Sequence, residues 1–198
     1  MKKKIALFDF DGTITREDSL LAFIRFTRGA VSFYLGFLLL SPLLIALKAK
    51  LVSNHRAKEW VLRFYFAGTP LEKFDAWCRD FAQNYIPDIV RPAALQEIRE
   101  LQKEGIEVVL VSASPENWLA GWTSATGISL IGTRLQQNGG TITGRIEGRN
   151  CHGLEKVRRV GEIYPAGETE IVHAYGDTKG DLPMLKLAKN PHWKPFRN

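Results

Sequence analysis

Two aspartates near the start of the chain could perform nucleophilic or acid–base chemistry. Ile5 to Phe8 form a short apolar run, and Asp9 and Asp11 follow it before a glycine turn at Gly12. A run of this length that ends in a turn signal predicts a buried parallel strand. Because parallel strands present ligands at their carboxyl ends, we expect both carboxylates at one edge of a sheet. Two carboxylates this close repel, so one is protonated or a cation lies between them.

Two later apolar runs also end in polar residues. The run over 106–111 leads into Ser112 and Ala113, and the run over 171–175 leads into Gly176 and Asp177. Both runs predict buried strands that end at the same sheet edge as the first. A helix is predicted over 115–125, with Pro115 in its first turn, and its free N–H groups would face an anion there.

Three further polar residues have ordinary interpretations when they are considered singly. Ser112 would cap a helix, Lys156 would be a solvated residue of a helix predicted over 154–163, and Asp181 would cap the short helix predicted over 182–187. Convergence at the ends of three predicted strands favours a common functional site instead.

Composition restricts the class of protein and its partners. The 198 residues carry a formal net charge of +6, which favours phosphorylated substrates or anionic lipid surfaces. Nucleic acid is not expected, because the sequence has no nucleic-acid recognition motif. Two cysteines, Cys78 and Cys151, do not make a disulfide framework, so we expect a reduced, cytoplasmic protein.

The segment from Gly29 to Leu47 contains no charged residue. Its length is borderline for a membrane span, but one crossing would separate Asp9 and Asp11 from the later motifs, so we reject a span. Two interpretations remain open. The segment is a helix or helix pair, broken near Ser41–Pro42, in the core of a helical unit. Alternatively it lies in a membrane interface, with flanking Lys and Arg on anionic head groups.

Hydrophobic periodicity predicts the remaining elements. We expect helices over 17–28, 54–66, 70–85 and 92–104, a weak strand over 130–131, a hairpin of 134–137 with 141–146, and a last edge strand over 192–196.

The motifs of this chain resemble, in order, the four motifs of the haloacid dehalogenase (HAD) superfamily. They are Asp9-Phe10-Asp11-Gly12-Thr13, Val111-Ser112-Ala113-Ser114, Gly153-Leu154-Glu155-Lys156 and Gly176-Asp177-Thr178-Lys179-Gly180-Asp181. The resemblance is to the phosphoserine-phosphatase-like branch (subfamily IB). It implies an α/β fold, with a Rossmann-like parallel-sheet core over 1–16 and 88–198 and an α-helical cap over 17–87, inserted after the first strand.

A looser likeness is to phosphatidylglycerophosphatase C and related lipid-phosphate phosphatases. Those proteins also carry a long apolar stretch followed by basic residues in the cap. They share a Cys-His-Gly-x-Glu-Lys run, which here is Cys151 to Lys156.

The resemblance implies roles for individual residues. Asp9 would be the nucleophile that forms an aspartyl-phosphate, and Asp11 the general acid and base. Ser112, the backbone of Ala113 and Lys156 would bind the phosphoryl group. Mg²⁺ would be held by the Asp9 carboxylate, the Asp11 carbonyl and the Asp177 carboxylate. Asp181 would orient Lys156 or a metal-bound water, and Asp18 falls where phosphoserine phosphatases have a glutamate that contacts substrate.

Several functions are compatible with these features. The first is a magnesium-dependent phosphomonoesterase acting on a lipid phosphate at the inner face of the membrane. The second is a phosphatase of soluble esters, such as a phosphoserine phosphatase. A phospho-acceptor switch of the receiver type is disfavoured, because receiver domains lack an acid two residues after the phosphate-accepting aspartate. A lipid-surface binding module without catalysis is disfavoured by the complete set of acids.

Overall fold

The computed structural model describes residues 2–49 and 51–197, apart from the side chain of Leu44. Its strands are β1 (Lys3–Phe8), β2 (Thr69–Pro70), β3 (Glu107–Pro115), β4 (Ser129–Asn138), β5 (Thr141–Glu147), β6 (Thr169–Gly176) and β7 (Asn190–Trp193). They form one seven-stranded sheet in the order β2-β5-β4-β3-β1-β6-β7. The strands from β4 to β7 in that order are parallel, while β5 and β2 are antiparallel to their neighbours. The predicted α/β class is confirmed.

The helices fall into two groups along the chain. Five follow β1 and precede β3, namely α1 (Ser19–Leu39), α2 (Ser41–Lys48), α3 (Asn54–Phe66), α4 (Leu71–Asn84) and α5 (Ile86–Ile89). Four come later, namely α6 (Pro92–Lys103), α7 (Glu116–Thr126), α8 (Leu154–Ile163) and α9 (Leu182–Leu185). The first group is the helical insertion expected after the first strand. The proposed limits of the two domains, at 16/17 and 87/88, stay a prediction.

Strand β1 lies at the centre of the sheet and is buried on both faces. Ile5 and Leu7 belong to one hydrophobic cluster, and Ala6 and Phe8 belong to the cluster on the other face. This alternation explains why the strand reads as a continuous apolar run. In the sheet, Phe8 is aligned with Leu110 of β3 and Tyr175 of β6. The carboxyl ends of β1, β3 and β6 therefore meet at one edge, as the sequence predicted.

The apolar segment forms a helix pair broken close to the predicted point. Asp18 caps α1, since its side chain accepts a hydrogen bond from the Leu21 N–H at 3.0 Å. Helix α1 is kinked at Gly29, where φ is +76°, directly after the predicted end of the first helix at residue 28. The chain breaks again at Leu40 and continues as α2. Gly29 thus divides α1 into two helical halves.

Three parts of the sheet differ from the prediction. The weak strand at 130–131 and the first hairpin strand are one strand, β4, which pairs parallel with β3 and then antiparallel with β5. The last edge strand is Asn190–Trp193 rather than 192–196. Strand β2 was missed because it has only two residues, and it pairs Thr69 with Ile142 of β5. This short pairing connects the end of α3 to the sheet.

Candidate active site

Asp9 is the first residue after β1, and both of its carboxylate oxygens are held. Oδ1 lies 2.6 Å from Lys156 Nζ, and Oδ2 accepts a hydrogen bond from the Thr13 hydroxyl at 3.1 Å. Burial raises the pKa of Asp9 to about 7, although the charge of Lys156 acts in the opposite direction. An additional positive charge nearby would stabilise the ionised form of this buried carboxylate.

Lys156 lies near the start of α8 and connects two carboxylates. Its ammonium is 2.7 Å from Asp181 Oδ1, in addition to the contact with Asp9, and its side chain is only 1% exposed. Burial alone would lower the pKa of Lys156, but the charges of Asp9 and Asp181 hold it well above its ordinary value. The solvated-residue interpretation of Lys156 does not apply, because the ammonium is buried in this network.

Asp181 is fixed by the loop that follows β6. Its Oδ2 accepts hydrogen bonds from the Thr178 N–H at 3.0 Å and from the Thr178 hydroxyl at 2.7 Å. Burial acts to raise the pKa of Asp181, but the charge of Lys156 holds it below the ordinary value. These contacts allow Asp181 to orient the ammonium of Lys156 toward Asp9.

The Asp11 carboxylate has partners of its own. Oδ1 accepts from the Ser19 N–H at 2.7 Å, and Oδ2 accepts from the Ser114 hydroxyl at 2.6 Å. The Ser19 hydroxyl in turn donates to Ser114 Oγ at 2.9 Å and accepts from Trp118 Nε1 at 3.3 Å. Burial raises the pKa of Asp11. The first turn of α1 and the end of β3 thus fix this acid jointly, which the sequence did not predict.

Ser112 and Ala113 form the end of the second motif. Ser112 is fully buried, and its Oγ accepts a hydrogen bond from the Ser114 N–H at 3.0 Å. The carbonyl of Ala113 accepts from Lys58 Nζ at 2.8 Å and from the Thr133 hydroxyl at 2.6 Å. The carbonyl of Ala113 is therefore used within the protein, and its N–H remains the predicted phosphate donor.

Three carboxylates fit a hard divalent cation. One oxygen each of Asp9, Asp177 and Asp181 lies within 4.8 Å of the others. Gly12, with φ of +80°, permits this approach, because a Cβ there would lie 2.6 Å from Asp177 Oδ2. Oxygen donors of this type suit Mg²⁺ or Ca²⁺.

The charge balance also favours a cation. Three of the four carboxylates contact a cationic group. Lys156 pairs with Asp9 and Asp181, and Arg197 Nη2 lies 2.5 Å from Asp177 Oδ2. The Asp11 carboxylate forms no ion pair among the described residues, since its partners are Ser19 and Ser114. Two negative charges are left uncompensated if all four are ionised. The Asp11 side chain is absent from the cluster because it points to Ser19 and Ser114, so only its backbone carbonyl is available as the predicted ligand.

A cavity of about 530 Å³ opens above these acids. Its floor includes Asp9, Asp11, Ala113, Lys156 and Asp181. Its wall from the helical insertion has six apolar residues, namely Leu20, Leu21, Phe37, Leu47, Ala57 and Val61, and three polar ones, namely Asp18, Asn54 and Lys58. Asp18 caps α1 and also lines the cavity, which places it within reach of a ligand.

Lys58 lines the same cavity and was missed in the sequence. It shares one face of α3 with Val61, Leu62 and Tyr65, at spacings of three, four and seven residues. Those three residues are buried, so a lysine on that face is unusual. A charged residue within an apolar helical stripe is the signal that could have identified it.

Comparison with known proteins assigns the family. The model of the haloacid dehalogenase-like hydrolases matches residues 6–186. Protein CicA of Caulobacter vibrioides is 34% identical over 98% of this chain and 86% of its own length. The chain belongs to the haloacid dehalogenase-like hydrolase family.

Solved structures agree with this assignment. A protein of unknown function from Bordetella pertussis Tohama I has a TM-score of 0.81 and 26% identity, covering 94% of this chain and 87% of that one. A phospho-aspartyl intermediate analogue of phosphoserine phosphatase has a TM-score of 0.60 and 19% identity, covering 95% and 84%. At the level of class, the prediction of a hydrolase of the HAD family is confirmed.

Proposed function

We propose that this hydrolase is a Mg²⁺-dependent phosphomonoesterase that acts on a lipid phosphate such as phosphatidylglycerol phosphate. The observation that carries the proposal is the cavity above Asp9, whose polar floor faces an apolar wall. Phe37 and Leu47 of the uncharged segment belong to that wall. A phosphate at the floor would leave the rest of a lipid substrate against apolar side chains.

The contacts of the floor residues support a two-step mechanism. Asp9 attacks phosphorus and becomes an aspartyl-phosphate, while Asp11 gives its proton to the leaving alcohol. Asp11 then takes a proton from the water that hydrolyses the acyl phosphate. Lys156 neutralises the phosphoryl oxygens and keeps Asp9 in place. A bound Mg²⁺ would supply positive charge to the phosphoryl oxygens, with Asp9, Asp177 and the Asp11 carbonyl as its protein ligands.

The second half of α1 supports contact with a membrane surface. Phe33 and Phe37 pack toward the core, whereas Val31, Tyr34, Leu35 and Leu38 share the opposite face at helical spacing and are 57–74% exposed. We name these four residues the apolar stripe. An exposed stripe of this kind on a soluble surface is typical of an interaction site. The cavity wall and the apolar stripe are two faces of one helical segment, which favours the membrane-interface interpretation.

Not all of the basic residues that flank the apolar segment 29–47 are available for contact with a membrane surface. Arg25 lies 3.0 Å from Glu17, and Arg28 donates to Thr69 Oγ1 at 3.3 Å and stacks on Trp77. Lys48 and Arg56 are exposed and remain for anionic head groups.

A transmembrane role for α1 is disfavoured by its packing. By length and composition α1 could cross a membrane, and 22% of its most apolar 18-residue stretch is buried in the protein. Its first half, however, supplies Ala22, Phe23 and Ile24 to the main core. The strands before and after the insertion also lie side by side in one sheet. We therefore propose a peripheral contact at the inner, cytoplasmic face of an anionic membrane.

The test is phosphate release from phosphatidylglycerol phosphate in mixed micelles, with and without Mg²⁺, beside phosphoserine. Asp9→Asn is the control and should be inactive. We expect the lipid to be preferred in kcat/KM and chelation to abolish turnover. Equal or better use of phosphoserine would reject the lipid substrate. Turnover by Asp9→Asn would reject the nucleophile.

A phosphatase of soluble esters is the second candidate. It is favoured by the structural likeness to phosphoserine phosphatase and by Asp18 in the cavity wall. A phospho-acceptor that does not hydrolyse its acyl phosphate is less compatible with an acid fixed at Asp11. Accumulation of labelled protein without phosphate release would support that alternative.

A further inference from the structure

Lys58 is a cationic group that the helical insertion presents to the reaction cavity. Its ammonium donates to the Ala113 carbonyl at 2.8 Å, and it lines the cavity together with Ala57 and Val61. Within residues 2–49 and 51–197, no carboxylate forms an ion pair with it. A lysine beside apolar side chains is costly to keep charged without an anion. Lys58 is therefore a cation whose only direct hydrogen-bond acceptor among the described residues is a neutral backbone carbonyl.

Lys58 would lie on the side of the leaving group. The carbonyl that it contacts belongs to Ala113, and the next residue, Ser114, donates to the Asp11 carboxylate. Burial lowers the pKa of Lys58, and the negative charges of Asp11 and Asp18 act most strongly against that effect. In the proposed mechanism Asp11 serves the leaving oxygen, whereas Lys156 contacts the nucleophile Asp9 and Asp181. Two lysines thus face different parts of a bound substrate.

The transferring phosphoryl group already has a dedicated cation. Lys156 is buried against the nucleophile, and the carboxylate cluster fits a divalent ion. Lys58 comes from α3 instead, one turn from Val61 in the apolar wall. A substrate that extends from the floor toward that wall would therefore pass close to Lys58.

We propose that Lys58 binds a second anionic group, carried by the leaving alcohol a few atoms from the ester oxygen. The preferred substrates would then be phosphate monoesters whose alcohol is itself anionic, and the internal phosphodiester of a glycerophospholipid is such a group. The lipid identity of that anion rests on the function proposed above. The requirement for a second anion does not, because a soluble bisphosphate or a phosphorylated amino acid carries one as well.

The experiment compares Lys58→Met and Lys58→Arg with the wild-type protein on matched substrate pairs. The soluble pair is glycerol bisphosphate and glycerol phosphate, which differ only in the second phosphate. The lipid pair is phosphatidylglycerol phosphate and phosphatidic acid. Phosphoserine tests a carboxylate as the anion. Lys73→Met is the control, because Lys73 is an exposed lysine of α4, and its ammonium lies over the Trp77 ring.

For each pair that the wild type turns over, we expect Lys58→Met to lower kcat/KM on the doubly anionic member by about 10- to 100-fold. A loss of this size is expected when a hydrogen bond to a charged group is removed. The loss should appear mainly in KM, and Lys58→Arg should restore part of it. Glycerol phosphate and phosphatidic acid should change less than about threefold, which also verifies that the variant is folded.

Two results would overturn the proposal. An equal loss on both members of a pair would assign Lys58 to the transferring phosphoryl group. No loss on any substrate would leave it without a binding role. If the wild type ignores both lipids but the soluble pair behaves as expected, the lipid function fails and the second-anion site stands.

Discussion

The Ser114 hydroxyl lies 2.6 Å from Asp11 Oδ2 and donates a hydrogen bond to it. Ser114 is fully buried, and its Oγ also accepts from the Ser19 hydroxyl. The proposed general acid, Asp11, is therefore held between the end of β3 and the first turn of α1. Movement of the helical insertion relative to the sheet would change the position of this acid.

Ser114→Ala should lower kcat by about tenfold on alkyl phosphates, because one hydrogen bond to a charged or polarised group is lost. The effect should be much smaller on p-nitrophenyl phosphate, whose leaving group needs no proton. Steady-state kinetics on both esters measure the difference. Ser114→Thr keeps a hydroxyl and should recover activity. An equal loss on both esters would mean that Ser114 does not act through the acid.

Lys156→Met should destabilise the protein by about 3–5 kcal/mol, because two buried carboxylates lose the cation between them. Urea unfolding in the absence of divalent ions measures this free energy. Adding Asp181→Asn to Lys156→Met removes one of the uncompensated charges and should restore part of the stability. A double variant less stable than the single one would contradict this account of the network.

Mg²⁺ at about 100 times its Kd should raise the Tm by roughly 5–10 °C, through preferential binding to the folded state. Asp177→Asn should remove most of that rise, since Asp177 is in the carboxylate cluster. Asp88→Asn is the matched control, because Asp88 is an exposed residue of α5. Thermal unfolding with Mg²⁺ or with chelator gives the values. An unchanged rise in Asp177→Asn would remove Asp177 from the ligand set.

Leu35→Glu should reduce binding to anionic vesicles by about tenfold or more, because it removes a leucine from the apolar stripe and adds a charge. The side chain is 57% exposed, so folding should be unaffected. Ile163→Glu is the matched control, because Ile163 is 55% exposed at the end of α8. Vesicle flotation at low salt measures binding. Equal binding of both variants would mean that the apolar stripe does not contact the vesicles.

The thiol of Cys151 should be unreactive in the folded protein. Burial raises the pKa of Cys151 to about 11, and a thiol needs to ionise before it reacts with a disulfide reagent. At about pH 8 a chromogenic aromatic disulfide should therefore label it only after unfolding. Since the pKa is raised on folding, this group stabilises the protein below its ordinary pKa, and that stability is lost as pH rises through about 11. Fast labelling of the folded protein would contradict its burial.

Most of the fold and the positions of the candidate site residues could be predicted because they depend on local sequence. The apolar run before Asp9 is long enough for one buried strand, and helices α3 and α8 have the bounds that their periodicity predicts. The predicted end of the first helix at residue 28 coincides with the kink at Gly29, but whether a glycine ends a helix or only kinks it is not a local property. Strand β2 was missed for a different reason, since a strand of two residues is too short to show an alternating hydrophobic pattern.

The sequence by itself determined which residues form the strand ends, since an apolar run followed by acids is a local pattern that burial enforces. It also determined that Asp9, Asp11, Ser112 and Asp177 would meet, because parallel strands end at the same edge. Only the tertiary structure decided which partners hold those residues. Asp11 is bound by Ser19 and Ser114, which are 8 and 103 residues away along the chain.

The same distinction applies to the helical insertion. Its sequence shows that 29–47 is apolar, but an apolar helix can be buried or exposed without any change in composition. The packing of α1 against α3 decides that Phe37 lines the cavity, that the apolar stripe faces outward and that Lys58 enters the cavity. These contacts join residues distant in sequence, and their free energy depends on how the helices are placed on the sheet, which no local pattern records.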